Sequence, residues 1–122
     1  MIDGSVNARL EAIIDLRIGW RGAEITLSTI VDTGFSEFLT LPMSVISALL
    51  LPYEYSVTVQ LADGHLEGVD VYEGACFWDG QWRQIYVQAT DGDILGGMRL
   101  LEGHVLGIRV EVGGEVTIES IA

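Results

Sequence analysis

The sequence predicts an all-β fold, and three features of the 122-residue chain support this prediction. Aliphatic and β-branched residues occur in short runs that Gly and Asp interrupt. In residues 55–61, polar side chains alternate with Val57, Val59 and Leu61, which is the period of a strand with one buried face. Successive runs are joined by short segments containing Gly, which adopts the backbone conformations that hairpin turns need.

Three hairpins account for most of the predicted strands. In each, two apolar runs flank a short segment that contains Gly. The first joins residues 9–18 to 23–31 through 19–22, the second joins 55–61 to 65–75 through Asp63-Gly64, and the third joins 75–78 to 81–89 through Asp79-Gly80.

Two short helices interrupt this pattern. Pro42 suits the first turn of a helix, residues 43–51 supply an apolar face, and Pro52 prevents the helix from continuing. A second, brief helix is predicted near residues 98–101, before strands at 104–110 and 115–121. Because no linker composition or internal repeat divides the chain, we expect residues 1–122 to form a single domain.

The composition limits the location and the partners. Eighteen Asp and Glu against six Lys and Arg give a net charge of −12, which disfavours nucleic acids and anionic membranes as partners. No stretch approaches the ~20 apolar residues of a membrane-spanning helix, and no basic-then-apolar leader begins the chain. Cys76 is the only cysteine, which excludes an intrachain disulfide and a Cys-rich metal site. We therefore expect a soluble, cytoplasmic protein that acts on a polypeptide or a neutral small molecule.

The segment Val31-Asp32-Thr33-Gly34 is the strongest candidate for chemistry. It places a carboxylate directly after an apolar strand, in a loop where Gly permits conformations that other residues avoid. A tripeptide is short enough to occur by chance, and Asp-Thr-Gly also fits an ordinary turn closed by the Asp side chain. The motif alone leaves a catalytic carboxylate and a structural turn as alternatives.

A second apolar segment that ends in Gly favours the catalytic alternative. Ile94-Leu95-Gly96 lies well after Asp32 and is followed by Leu100 and Leu101, and the Asp63-Gly64 hairpin lies between the two segments. Together with the string from Phe38 to Pro42, this order resembles the retropepsin-like aspartic peptidases, and in particular their microbial single-domain branch. The resemblance extends over residues 6–121. It implies a closed β-barrel of the acid-protease type with one or two short helices.

The resemblance also implies a mechanism. In this family two carboxylates share a proton around one water molecule, so that one takes the proton of the attacking water and the other polarises the peptide carbonyl. The chain has a single Asp-Thr-Gly, so a homodimer would supply the second carboxylate from the Asp32 of another copy. Thr33 would hydrogen-bond across the dimer, and Gly34 would allow a polypeptide substrate to approach closely. No cofactor and no metal ion is implied.

Further residues receive roles from the same resemblance. The tip of a substrate-binding flap would be Ala62, Asp63 and Gly64, and the segment beneath the catalytic loop would be Ile94, Leu95 and Gly96. Phe35 departs from the family, in which Ser or Ala follows Asp-Thr-Gly and the Ser is able to hydrogen-bond the carboxylate. We expect Phe35 to belong to the substrate-binding loop.

Two non-catalytic interpretations stay open. One is a dimeric module that keeps the peptidase fold and binds peptide or protein in the cleft, which the presence of Phe35 allows. The other is a small β-barrel without a cleft, in which Asp32 is isolated from any second carboxylate.

Several other residues have simpler explanations. Trp78 and Trp82 flank the Asp79-Gly80 turn, and we expect them to pack across the strands, with ligand stacking as the alternative. Cys76 is expected to be a buried small apolar residue, and His65 and His104 to be surface residues. Because Val116, Ile118 and Ile121 need burial, we expect the terminal strand to interleave with a second copy.

Overall fold

Ten β-strands and two short helices make up the protein, in a computed structural model that describes residues 1–122. All ten strands belong to one hydrogen-bonded sheet, which confirms the predicted all-β class. The elements are β1 (Ile2–Val6), β2 (Ala12–Trp20), β3 (Ala23–Val31), β4 (Leu39–Leu41), α1 (Met43–Leu49), β5 (Tyr53–Gln60), β6 (Leu66–Trp78), β7 (Gln81–Ala89), β8 (Leu95–Gly96), α2 (Met98–Leu101), β9 (His104–Ile108) and β10 (Glu115–Ser120).

The first predicted hairpin forms with shifted bounds. Its turn is Arg21-Gly22 alone, and both residues have positive φ, as the tight turn between two twisted strands requires. Strand β2 begins at Ala12 and not at residue 9, because the Asn7 side-chain oxygen accepts the N–H groups of Arg9 and Glu11 and holds residues 7–11 in a loop.

The second hairpin, between β5 and β6, has a wider loop than the predicted two-residue turn. The N–H of Leu61 donates to the carbonyl of His65, and the N–H of Gly64 donates to the carbonyl of Leu61. Three residues, 62–64, therefore form the tip, with Gly64 at a φ of 86°. A three-residue loop of this kind carries Gly at its left-handed position.

Strand β6 connects distant parts of the sheet. Its first half pairs with β5, its whole second half pairs with β7, and residues Ala75, Cys76 and Phe77 also pair with β2. Strand β7 pairs with β4, β4 with β8, β8 with β3, and β3 with β2. The pairings thus form a circuit that leaves from β2 and returns to it.

Apolar side chains fill the inside of this circuit. The most completely buried include Ile18 of β2, Leu39 of β4 and Val87 of β7, each with 0% of its surface exposed. Helix α1 follows Pro42 as predicted and ends at Leu50, whose φ of 55° breaks the helical hydrogen bonding. With seven and four residues, α1 and α2 fall far short of a membrane-spanning length.

The terminal strands do not behave as predicted. Strand β10 pairs with β1 on one side and with β9 on the other, so it has no free edge for a second copy. Val116 and Ile118 are fully buried within the chain, whereas Ile121 is 69% exposed. The missed strand β1 supplies the partner for β10. The edge strands of the sheet are β5 and β9.

The expected cross-strand packing occurs for Trp82, whose ring lies edge-on to that of Phe77, whereas Trp78 faces the other side of the sheet. Trp82 pairs with Phe77 and is 47% exposed, whereas Trp78 is buried and its ring lies edge-on to that of His104. Cys76 is fully buried, as predicted, and this burial raises the pKa of its thiol to about 11. A thiol in this state is not a nucleophile at neutral pH.

Candidate active site

Asp32 lies directly after β3, at the start of an irregular loop. Its side-chain Oδ1 accepts a hydrogen bond of 2.8 Å from the N–H of Gly34, and its main-chain carbonyl accepts one of 3.2 Å from the N–H of Phe35. Thr33 and Gly34 are exposed, and Asp32 is half-buried. The bond from Gly34 closes the turn that the sequence left open as the structural alternative, and it also fixes the orientation of the half-buried carboxylate.

Strand β8 holds the Asp32 loop from the side. It runs parallel to β3, with Leu95 opposite Ile30 and Gly96 opposite Val31. The N–H of Asp32 itself donates to the carbonyl of Gly96 at 2.9 Å. The structure thus brings Ile94, Leu95 and Gly96 together with the Asp-Thr-Gly motif.

Gly97 is a further part of this support that the sequence reasoning did not identify. A Cβ atom at this position would stand 2.6 Å from Cδ2 of Phe35 and would also collide with the carbonyl of Glu37. The N–H groups of Gly97 and Met98 donate to the carbonyls of Phe38 and Phe35. Only Gly fits here, and the Gly96-Gly97 doublet was the available signal.

Thr40 is a second missed residue. Its buried hydroxyl donates to the carbonyl of Asp93 and accepts the N–H of Leu95, with both distances 2.8 Å. It therefore fixes β4 to the segment that enters β8. A lone Thr within an apolar run gave little indication of this role.

An open cleft of about 460 Å³ begins beside the Asp32 loop. One wall is the loop from Gly34 to Glu37, and the other comes from β5, β6 and β7. Its apolar and aromatic lining consists of Phe35, Tyr55, Val57, Val59, Val71 and Tyr86. A cleft of this size and composition suits the side chains of a peptide or a small apolar ligand.

The predicted flap residues form the tip of a hairpin, as expected. Strands β5 and β6 project as a hairpin, and most residues of β5 are exposed. Ala62, Asp63 and Gly64 form its tip, where Oδ1 of Asp63 accepts the N–H of His65, but they do not line the cleft in the single chain. The middle of β5 lines it instead, and the alternation of Tyr55, Val57 and Val59 was the signal for this.

Acidic groups border the cleft. Glu37 forms an ion pair of 3.4 Å with Arg99, and both side chains are about half-exposed. Farther along the same side of the sheet, Glu73 accepts a hydrogen bond from Gln84. The pKa of Glu73 is raised above 4.5, mainly by a hydrogen bond with Glu54, then by burial and by the charge of Glu54. The two carboxyl groups are therefore close neighbours that share a proton more readily than they both ionise.

No family model, curated protein or solved structure matches this chain. A function therefore has to be argued from the site itself. Its components are an oriented, half-buried carboxylate, a loop fixed by β8 and two neighbouring glycines, and a cleft with polar and apolar lining that begins two residues later.

Proposed function

We propose that the chain is an aspartic endopeptidase of the retropepsin-like type that acts as a homodimer, each copy giving one Asp32 to a shared pair. The observation that carries this proposal is the Asp32 loop. A half-buried carboxylate oriented by the N–H of Gly34, next to a cleft with polar and apolar lining and supported by a parallel strand, is suited to act on a bound peptide.

The chemistry needs two carboxylates and one water molecule. The ionised Asp32 of one copy removes a proton from the water, whose oxygen attacks the carbonyl carbon of the peptide bond. The protonated Asp32 of the other copy gives its proton to the carbonyl oxygen as the tetrahedral intermediate forms and takes it back as that intermediate collapses. The first Asp32 then passes the proton that it took from the water to the leaving amine nitrogen as the C–N bond breaks. Since each chain has one Asp-Thr-Gly, a two-fold axis beside this loop would supply the pair.

The strand pairings support the proposed barrel. The circuit through β2, β6, β7, β4, β8 and β3 is what a small closed barrel of the acid-protease type would contain. Its parallel contact between β3 and β8 places the Asp32 loop at the end of the strands. Loops at strand ends are the usual position of catalytic residues.

The free edge of β9 supports the proposed dimer. The N–H of Arg109 donates to the carbonyl of Glu115, and the N–H of Ile121 donates to the carbonyl of Gly103. The odd-numbered residues of β9 therefore form its hydrogen bonds with β10. The backbone N–H and C=O groups of His104, Leu106 and Ile108 point away from β10. No acidic residue or Pro blocks this edge, and Val105 is 57% exposed. Two such edges would pair antiparallel around a two-fold axis, and the shared Asp32 pair requires this to be the same axis that passes beside the Asp32 loop.

A non-catalytic peptide-binding module is the alternative, and one observation favours it. Phe35 occupies the position after Gly34, where it lines the cleft and offers no hydroxyl to the Asp32 carboxylate. A bound peptide would gain apolar contact from this ring whether or not it is cleaved.

The deciding experiment compares three purified proteins on an unfolded polypeptide, with mass spectrometry of the products. We expect the wild type to cleave the polypeptide. The Asp32→Asn protein should lose at least about a thousand-fold in rate, because the general base is removed. The Asp15→Asn protein, which lacks an exposed carboxylate of β2, should keep the wild-type rate. Equal rates for Asp32→Asn and wild type would overturn the proposal. Peptide binding without cleavage by the wild type would establish the alternative.

A further inference from the structure

A second open groove lies away from the Asp32 loop, between the β2–β3 hairpin and the start of β7. It has a volume of about 640 Å³ and is mainly apolar, with residues from Gly19 to Glu24 together with Ala75 and Trp82 around it. We call it the Trp82 groove. The ring of Trp82 lies against Gly19 so closely that a Cβ atom there would be 3.0 Å from the ring.

The Trp82 groove and the cleft lie on the same face of the sheet. Along β7, alternate residues Trp82, Gln84, Tyr86 and Gln88 point to one side, and they pair with Phe77, Ala75, Glu73 and Val71 of β6. Trp82 and Ala75 belong to the groove, whereas Tyr86, Gln88 and Val71 belong to the cleft. One strand face therefore leads from the cleft to the groove.

The distance between the two sites matches a short extended peptide. Trp82 and Tyr86 are four residues apart on one strand, which corresponds to about 13 Å at ~3.3 Å per residue. A peptide extended along this strand has the same rise per residue. It would therefore reach from Tyr86 to Trp82 with about four residues.

The surface between the two sites is acidic and polar. Gln84 lies between Tyr86 and Trp82 and donates to Glu73, which is the cross-strand partner of Tyr86 on the same face, and Glu54 lies close to Glu73. Arg21 and Gln84 lower the pKa of Glu73 only in part, since Glu54 and burial outweigh them. A cationic side chain at this point would relieve the repulsion between the two carboxylates.

We propose that the Trp82 groove is a distal binding site for the same polypeptide that occupies the cleft. It selects chains that carry a large apolar or aromatic side chain about four residues from the one bound at Tyr86, with Lys or Arg between them. This inference rests on the proposed peptidase function, because the polypeptide in the cleft is the substrate of that activity.

The test measures binding to the Asp32→Asn protein, so that cleavage does not interfere. The probe is a capped peptide with two central Leu residues. On each side of this pair, a Lys stands two residues and a Trp four residues from the nearer Leu. Because the pattern is the same in both directions, the result does not depend on the direction in which the peptide binds. Matched peptides replace both Trp by Ser or both Lys by Glu. Dissociation constants come from isothermal titration calorimetry.

We expect the Trp peptide to bind about ten-fold more tightly than the Ser peptide, as burial of a large apolar side chain provides. Adding Trp82→Ala to the protein should remove this difference. Adding Ile25→Ala, which deletes another exposed apolar side chain outside the groove lining, should keep it. The Glu peptide should bind more weakly than the Lys peptide. This difference in affinity should become smaller when Glu73 is changed to Gln.

Equal affinity for the Trp and Ser peptides, or a difference that survives Trp82→Ala, would overturn the distal site. Failure of the proposed function looks different. In that case the wild type would not cleave the Trp peptide, although the binding difference that depends on Trp82 would persist.

Discussion

The ring of Phe35 lies against Gly97, so that a Cβ atom on residue 97 would stand 2.6 Å from Cδ2 of Phe35. The ring of Phe35, the residue after Asp-Thr-Gly, therefore fits at this position because residue 97 has no side chain. The same contact joins the loop of Asp32 to the segment between β8 and α2, and its integrity determines where the carboxylate lies.

Gly97→Ala should displace the Asp32 loop and destabilise the protein by roughly 1–3 kcal/mol, the usual cost of forcing an extra methyl group into a packed site. Urea unfolding measures this change, and cleavage rate should fall with it. Gly68→Ala is the matched control for stability, because nothing lies within 4 Å of a Cβ atom there. In the Phe35→Ala background, Gly97→Ala should cost somewhat less because the ring contact is gone, although the main-chain carbonyls of Glu37 and of residue 35 still oppose the methyl group. An equal cost in both backgrounds would show that Phe35 and Gly97 are not coupled.

Thr40→Val should lower stability by about 1–3 kcal/mol, because it leaves the carbonyl of Asp93 and the N–H of Leu95 without their 2.8 Å partner. Thr40→Ser keeps the hydroxyl and should lose less. Hydrogen exchange of the Leu95 amide gives a local measure, and it should accelerate in Thr40→Val. Unchanged exchange in that variant would contradict the supporting role of Thr40.

Stability should depend on pH through Glu73. Since its pKa is raised from 4.5 by the hydrogen bond with Glu54, by burial and by the charge of Glu54, the folded chain binds more protons than the unfolded chain just above that value. The contribution of Glu73 is therefore most favourable at low pH and decreases as pH rises through this window. Glu54→Gln should raise the urea midpoint at pH 7 and flatten its decline from about pH 4 upward. Glu119→Gln, which changes an exposed carboxylate of β10, is the control. An equal effect of both changes would contradict the contact between Glu54 and Glu73.

The dimer should depend on β9. A charge on an edge strand opposes pairing, so Val105→Glu should raise the dimer dissociation constant about ten-fold or more. Because Val105 is 57% exposed in the single chain, the circular dichroism spectrum and the urea midpoint of the Val105→Glu protein should stay close to those of the wild type. Leu10→Glu, at an exposed turn between β1 and β2, should leave the dimer unchanged in sedimentation equilibrium. A dimer unaffected by Val105→Glu would move the interface away from β9.

Deletion of residues 115–122 should unfold the chain and not merely separate two copies. Strand β10 lies between β1 and β9, and it buries Val116 and Ile118 in the core. This prediction replaces the earlier expectation that the terminal strand interleaves with a second copy.

Local features of the fold were predictable because they depend on neighbouring residues. Asp79-Gly80 and Pro42 each fix a turn or a helix start through their own backbone preferences, and the structure has these features at those places. Strand β4 has only three residues, and β1 contains Gly4 and Ser5, so neither shows a periodic pattern. Both strands were missed for this reason.

Long-range pairing was not predictable in the same way. The contact of β2 with β6 and the position of β10 between two strands depend on the whole topology. The Asp32 motif and Ile94-Leu95-Gly96 were found through a short sequence pattern. Gly97 and Thr40 act through contacts that become evident only when β8 lies beside β3 and β4. The cross-strand partner of Trp82, which is Phe77, likewise depends on the strand register.

The central claim is that two Asp32 carboxylates share one water molecule across a dimer, and a crystal structure of the assembled protein tests it most directly. The measured quantity is the distance between the nearest carboxylate oxygens of the two Asp32 side chains. We predict a distance within about 5 Å, which allows both carboxylates to contact one water. A separation of more than about 10 Å would exclude the shared-water mechanism and would contradict the peptidase assignment.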